Sequence, residues 1–342
     1  MLLNHKHNLN LNHPHSYRHY PQAGFTLIEL MISLVLGLII SAAVIQVYVT
    51  NVKTSSVQAS GSELQDASVF GLQQLEKNVR LANLGNPQTS ITSTTNKGGI
   101  VLTGANIGIP DVDGVPAYTN TGYLTRRAGD ATVGTNGWTG ISNTNTNSDQ
   151  LTIQYTNITG SPMTDCEGST AAVNDTVIER YFLRQMTGYT SSGAIENLAL
   201  VCDAGRVLAA GGIAVITPST DPRNFGQAGQ EFVTNVDQFK VLLGTQQTTG
   251  ANAGQMLFLP SSAYLAITTD KPAITAVKVG LIVHGSTPIS GSAEQSAFAL
   301  LGQAPTDNTL KADTTSKKKV RNTYETTTLL RNARVITAST SS

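Results

Sequence analysis

A run from Phe25 to Val49, FTLIELMISLVLGLIISAAVIQVYV, constrains this chain more than any other feature. As a helix rising 1.5 Å per residue it is roughly 37 Å long, enough to cross a hydrocarbon core of about 30 Å with some tilt. Lys6 and Arg18 precede it, so the positive-inside rule keeps the N-terminal segment cytoplasmic and sends the C-terminal part outward. One charge interrupts the run, Glu29. A carboxylate at the bilayer centre costs on the order of 3 kcal/mol or more. Four residues past Phe25 it sits nearer the interface, yet a plain anchor has no use for it. The alternative is an interfacial glutamate that tolerates its position.

Residues 1–24 read MLLNHKHNLNLNHPHSYRHYPQAG, polar and without an acid. They cannot build a core and are read as a processed leader. His5, His7, His13, His15 and His19 lie here; a His-rich tract can bind metal, but this spacing defines no coordination set. An ordinary secretory signal cut at Ser41-Ala42-Ala43 is the competing reading. That site falls inside the apolar run, which Val44 to Val49 continues.

Charged residues are only 13% of the chain and the formal net charge is zero, which argues against a general electrostatic grip on nucleic acid. Cys166 and Cys202 are the only cysteines. An even count in an exported domain predicts one disulfide; two free, partly buried thiols are the alternative. Closing a loop of about 36 residues stabilises by roughly 3–4 kcal/mol in the chain-entropy model.

Helical patterning continues past the apolar run. Leu64, Ser68, Gly71/Leu72, Leu75, Val79 and Ala82 recur at spacings of three and four, with Gln65, Gln73, Gln74, Glu76, Lys77 and Arg80 on the other face. Gly85 as C-cap and Pro87 beyond it end the helix, so one long helix is predicted over 26–84. Short strands come next, separated by Gly, Asn, Thr and Ser: Gln150–Tyr155, Thr176–Met186, Asn197–Cys202, and the alternating sets Phe239/Val241/Leu243 and Val277/Val279/Leu281/Val283. The polar stretch 104–148 reads as a long surface insertion, and Tyr324–Arg334 as a last strand leading to a polar tail. The predicted organisation is leader 1–24, membrane helix 25–49, amphipathic continuation 50–85 and a β-rich globular domain 86–342.

Gly24-Phe25-Thr26-Leu27-Ile28-Glu29, placed directly before a long apolar helix, resembles the class III signal motif of type IV prepilins and type II secretion pseudopilins. The resemblance implies cleavage by a prepilin peptidase between Gly24 and Phe25 and methylation of the new Phe25 amine. Glu29 then finds that positive amine, its own or a neighbour's, as an assembly salt bridge, since a buried carboxylate is costly unless paired. Val236–Gly244 and Tyr324–Arg334 resemble the PilW group of minor pilins, related to the J-type pseudopilins. The fold so implied is α+β and pilin-like, a long N-terminal helix packed on an antiparallel β-sheet domain. The implied role is a minor pilin that primes type IV pilus assembly at or near the filament tip and serves twitching motility. Its implied partners are other minor pilins, the major pilin and the inner-membrane assembly platform. Its implied location is the inner membrane with the C-terminal domain in the periplasm, then the pilus at the cell surface. A J-type pseudopilin and a membrane-anchored binding protein outside any filament are the alternatives.

Other chemistry is thinly represented. Asp111-Val112-Asp113-Gly114 could open a calcium loop, but the remaining acidic ligands are missing. Lys317-Lys318-Lys319-Val320-Arg321 could meet nucleic acid or an anionic surface; a solvated loop or hairpin is the default. Beyond the leader His284 is the single histidine, read as a satisfied core or surface residue in a strand, and Trp138 is a loop anchor or an exposed contact. No nucleophile elbow, P-loop, zinc spacing or CxxC motif is present. No enzyme, cofactor or metal is expected, and nucleic-acid contact is left open.

Overall fold

The computed structural model describes residues 24–108, 123–127, 140–189, 195, 197–207, 225–247, 253–288, 295–312 and 318–334, with backbone alone at 66–70. Residues 1–23, the Asp111–Gly114 fragment, Trp138 and Lys317 lie outside them. The chain divides into two compact units, Met1–Val52 and Lys53–Ser342. Helix α1, Leu27–Val79, contributes to both.

In the first unit the helical residues are exposed throughout, and most are apolar. Thr26 begins the helix: its hydroxyl accepts the Glu29 N–H at 3.3 Å, and its carbonyl accepts the Leu30 N–H at 3.2 Å. Ser/Thr-x-x-Glu is the sequence pattern of a capping box, of which the Thr26 half is made here.

In the second unit the remainder of α1 buries Leu64, Leu72, Leu75 and Val79, followed by Ala82. Gln65, Gln73, Gln74, Lys77 and Arg80 are exposed as the spacing requires. The helix ends at Val79 rather than at Gly85. Its last carbonyls are taken by tightening turns, Leu81 N–H to Asn78 O and Ala82 N–H to Val79 O. Asn83 is the first residue to turn left-handed, at φ 66°.

Among the described residues the strands form two four-stranded antiparallel sheets and a small ribbon. One sheet contains β1 (Leu151–Thr156), β4 (Thr176–Gln185), β5 (Leu198–Val207) and β6 (Gln230–Thr234), in the order β1-β4-β5-β6. The ribbon pairs β2 (Met163–Thr164) with β3 (Thr170–Ala171). The other sheet contains β7 (Val236–Gln246), β8 (Met256–Leu259), β9 (Ile274–Pro288) and β10 (Lys319–Leu329), in the order β10-β9-β7-β8. Short helix α2, Ser261–Leu265, leads from β8 toward β9. The alternating residues meet one another: Phe239 opposes Leu281, Val241 opposes Val279 and Leu243 opposes Val277. These join Leu64, Leu72, Leu75 and Val79 of α1 and Tyr181, Leu183, Leu198 and Leu200 of the first sheet in one core. This long helix over antiparallel sheets is an α+β fold.

Three expectations need correction. The described residues of 104–148 do not all lie at the surface: Asn106, Ser142, Asn143, Thr144 and Ser148 are buried. Asn106 and its neighbours cover one face of β1, whereas Ser142, Asn143 and Ser148 bond to Asp237 and Phe239 of β7. Gln154 donates to the carbonyls of Gly98 and Asn106, both at 2.7 Å, and Gln150 donates to Leu124 O at 2.7 Å. The last strand begins at Lys319 and stops at Leu329, five residues earlier at each end than its predicted span. The basic run is consequently not a solvated loop throughout, because Arg321 is buried within β10.

Candidate functional site

The apolar face offered by residues 25–52 is the largest exposed hydrophobic surface among the described residues, with Phe25 82% and Leu27 78% accessible. Water does not tolerate a contiguous apolar surface of this extent without a partner. The helix is long and apolar enough to cross a membrane. Gly24, Phe25 and Glu29 are all exposed. Among the described residues nothing lies within 4 Å of the position a Cβ would take at Gly24. Among the described residues the Glu29 carboxylate has no ion-pair or hydrogen-bond partner, whereas its backbone carbonyl accepts the Ser33 hydroxyl at 2.8 Å. A carboxylate in the otherwise uncharged stretch 25–52, three positions into the first turn of α1, is suited to a cation brought from outside the helix.

Cys166 and Cys202 are joined in a disulfide with their Cα atoms 6.2 Å apart. Cys202 sits in β5 and Cys166 in the turn between β2 and β3. Beside the sulfurs lies Glu179, a buried carboxylate that sequence reasoning missed. It accepts the Tyr155 hydroxyl at 3.0 Å, the Cys166 N–H at 3.0 Å and the Tyr181 hydroxyl at 2.7 Å. Tyr181 in turn accepts Asn78 Nδ2 of α1 at 2.9 Å. Burial pushes the Glu179 carboxyl up, against the pull of the two tyrosine hydroxyls and the Cys166 amide. Cys166, Cys202 and Glu179 offer three ligand atoms within 4.8 Å of one another. Their chemistry is closed, since both sulfurs are in the disulfide and the carboxylate already accepts three hydrogen bonds.

The second sheet has its own buried charge centre. Asp237 of β7 accepts Arg321 Nε of β10 at 2.7 Å and Asn143 Nδ2 at 2.7 Å. His284 of β9 lies opposite Arg321 in register, with its Nε2 3.7 Å from Asp237. Its Nδ1 is 3.0 Å from the Gly285 carbonyl, which places the proton on Nδ1. Burial lowers the His284 pKa, outweighing the opposite effect of the Asp237 charge. The result is a neutral imidazole that fills space among β7, β9 and β10. A cleft of about 240 Å³ beside β7 and β8 is lined by Lys240, Asp149 and Arg127 among apolar residues. There Lys240 Nζ donates to Asn147 O at 2.6 Å, and Asp149 accepts the Val241 N–H at 2.9 Å. These charges hold loop to strand and leave no paired nucleophile and base in the cleft.

Residues 20–45 match the prokaryotic N-terminal methylation motif, and residues 214–332 match the Type IV Pilus-assembly protein W family. No curated protein shows significant sequence similarity to the chain. A type IV-like pilin from Thermus thermophilus is a weak structural likeness, with 12% identity and a TM-score of 0.36 over 79% of this chain and 99% of that one. The α+β assignment rests on this chain's own helix and sheets. The methylation motif thus stands at the head of an exposed apolar helix, and the region that holds β7, β9 and β10 is similar to the Type IV Pilus-assembly protein W family.

Proposed function

We propose that the chain is a minor pilin that primes type IV pilus assembly at or near the filament tip. A prepilin peptidase cuts between Gly24 and Phe25, and the freed Phe25 amine is methylated. Before assembly, residues 25–49 span the inner membrane with the domain in the periplasm; afterwards the same helix packs against other minor pilins and the major pilin, delivered through the assembly platform. The observation that carries this reading is the exposed apolar surface of residues 25–52 with one carboxylate, Glu29, that has no partner among the described residues. In lipid or in a bundle of like helices the apolar surface is satisfied equally, so transfer between them exposes little apolar area to water. The charge is then the element that chooses a register, because an unpaired carboxylate in a dry bundle is penalised far more than a paired one.

Two measurements test the proposal. Intact-mass analysis of the mature protein should give a chain that begins at a methylated Phe25; a chain beginning at Val44 would mean an ordinary signal peptide. Glu29→Ala, expressed at native level, should leave membrane insertion unchanged and reduce piliation and twitching. Normal piliation in that variant removes the pairing mechanism, and loss of protein secretion with intact twitching assigns the chain to a secretion pseudopilus.

A further inference from the structure

Lys318 is exposed and Lys319, which opens β10, is half-buried. Lys319 pairs with Pro288, the last residue of β9. The Pro288 carbonyl accepts the Ser56 hydroxyl of α1 at 3.1 Å. One turn further along α1, Ser60 is buried so closely against Gly285 that an added Cβ would come 1.8 Å from its Oγ. Glu63 accepts both the N–H and the hydroxyl of Ser286, at 3.1 and 2.7 Å. The end of the β9–β10 ribbon is thus fastened along Ser56–Glu63.

Lys53 lies three residues before Ser56, on the same side of the helix, and is exposed. It is also the first charged residue after Glu29. Lysines from two segments more than two hundred and sixty positions apart therefore converge at the turn of α1 beyond the apolar stretch. We propose that Lys53, Lys318 and Lys319 form a contact surface for the anionic phospholipid headgroups of the leaflet from which α1 emerges. The proposal rests on the membrane-spanning reading of residues 25–49. A helix of that length already exceeds the hydrocarbon core, and four further residues add about 6 Å. Lys53 and the Ser56 turn then lie at headgroup depth, where lysine stems follow apolar surface and ammonium groups reach phosphate. An anionic leaflet attracts each such residue over about one Debye length. The fastening at Pro288 and Ser286 fixes the height of the ribbon end, so little ordering is needed at contact. A nucleic acid or acidic protein partner would give no reason for the basic residues to gather at this turn of α1.

The test uses the full chain in nanodiscs of phosphatidylcholine alone or mixed with phosphatidylglycerol, with lysine acylation rates read by mass spectrometry. Lys53, Lys318 and Lys319 should acylate about fivefold more slowly in the anionic discs. Raising salt to about 1 M, where the screening length is about 3 Å, should abolish the difference. Lys278, paired with Glu325 at 2.9 Å, serves as the internal reference and should not change. Lys318→Glu with Lys319→Glu should weaken the lipid dependence at Lys53. Equal rates in both discs with the helix inserted overturn the surface alone, as does protection that appears only on adding duplex DNA or an acidic protein. Failure of the chain to enter either disc overturns the membrane-spanning reading and this surface with it.

Discussion

Asp237→Asn should destabilise the domain by about 3–5 kcal/mol, the range for removing one partner of a buried ion pair. Asp237 is fully buried and its two oxygens face different elements, Oδ2 toward Arg321 and Oδ1 toward Asn143, each at 2.7 Å. An asparagine keeps the shape but has one acceptor oxygen, so it can serve Arg321 or Asn143 and not both. Whichever it serves, the guanidinium of Arg321, with a side chain 1% exposed, loses its countercharge. Neutral His284 supplies none. The loss is a large part of a stability that is typically about 5–15 kcal/mol for a domain. Adding Arg321→Met removes the charge that needs compensation, so the double variant should recover more than half of the loss. Urea denaturation of the full chain in mild detergent, followed by far-ultraviolet circular dichroism, measures both. A loss below about 1 kcal/mol in the single variant, or a double variant whose cost is the sum of the two singles, would refute the reasoning.

Replacing both Cys166 and Cys202 by alanine opens a loop of 36 residues and should cost about 4 kcal/mol; an unmoved urea midpoint, with and without reductant, argues that the tether is redundant. Burial, reinforced by the neighbouring Asp203 and Asp165 charges, pushes the Glu167 carboxyl up to about 8. Against an unfolded value of about 4.3, the native state holds more protons than the unfolded one between those limits. The stability Glu167 contributes is therefore complete below the lower value and is lost as pH rises through the upper. Glu167→Gln should flatten the dependence of the thermal midpoint on pH across that window, and an unchanged slope sinks the assignment.

The parts of the fold that were legible in advance are those whose signal is local. Phe239, Val241 and Leu243 alternate because one face of β7 meets the core, and no distant residue is needed to see it. The helical stripe from Leu64 to Ala82 is legible for the same reason. What escaped depends on which segments meet. Thr152 and Gln154 alternate with apolar neighbours as a solvated face would, yet they are buried because residues 98–106 and 123–126 close over them. Arg321 looked like part of a solvated run because its counterion is 84 residues away. Two signals were within reach. Asn78 interrupts the apolar stripe three residues after Leu75, and a polar residue on a core face needs a partner, here Tyr181. Thr26-x-x-Glu29 is a capping pattern that the membrane reading overshadowed.

That cap sharpens what Glu29 must do. The first turn of any helix presents unpaired N–H groups and a partial positive charge. Cleavage after Gly24 would add a full positive charge at Phe25, one residue ahead of the Thr26 cap, and like charges at a helix start oppose each other. A carboxylate at Glu29 answers both, through the field at the helix start and through the amine, whereas a neutral side chain answers only the first by hydrogen bonding. Glutamine is as competent as glutamate at the third position of a capping box. Glu29→Gln should therefore preserve the start of α1, seen as unchanged amide exchange over 27–33, and still reduce piliation about as far as Glu29→Ala does. If Glu29→Gln assembles at the native level while Glu29→Ala does not, the carboxylate acts as a cap and its charge is not what sets the register.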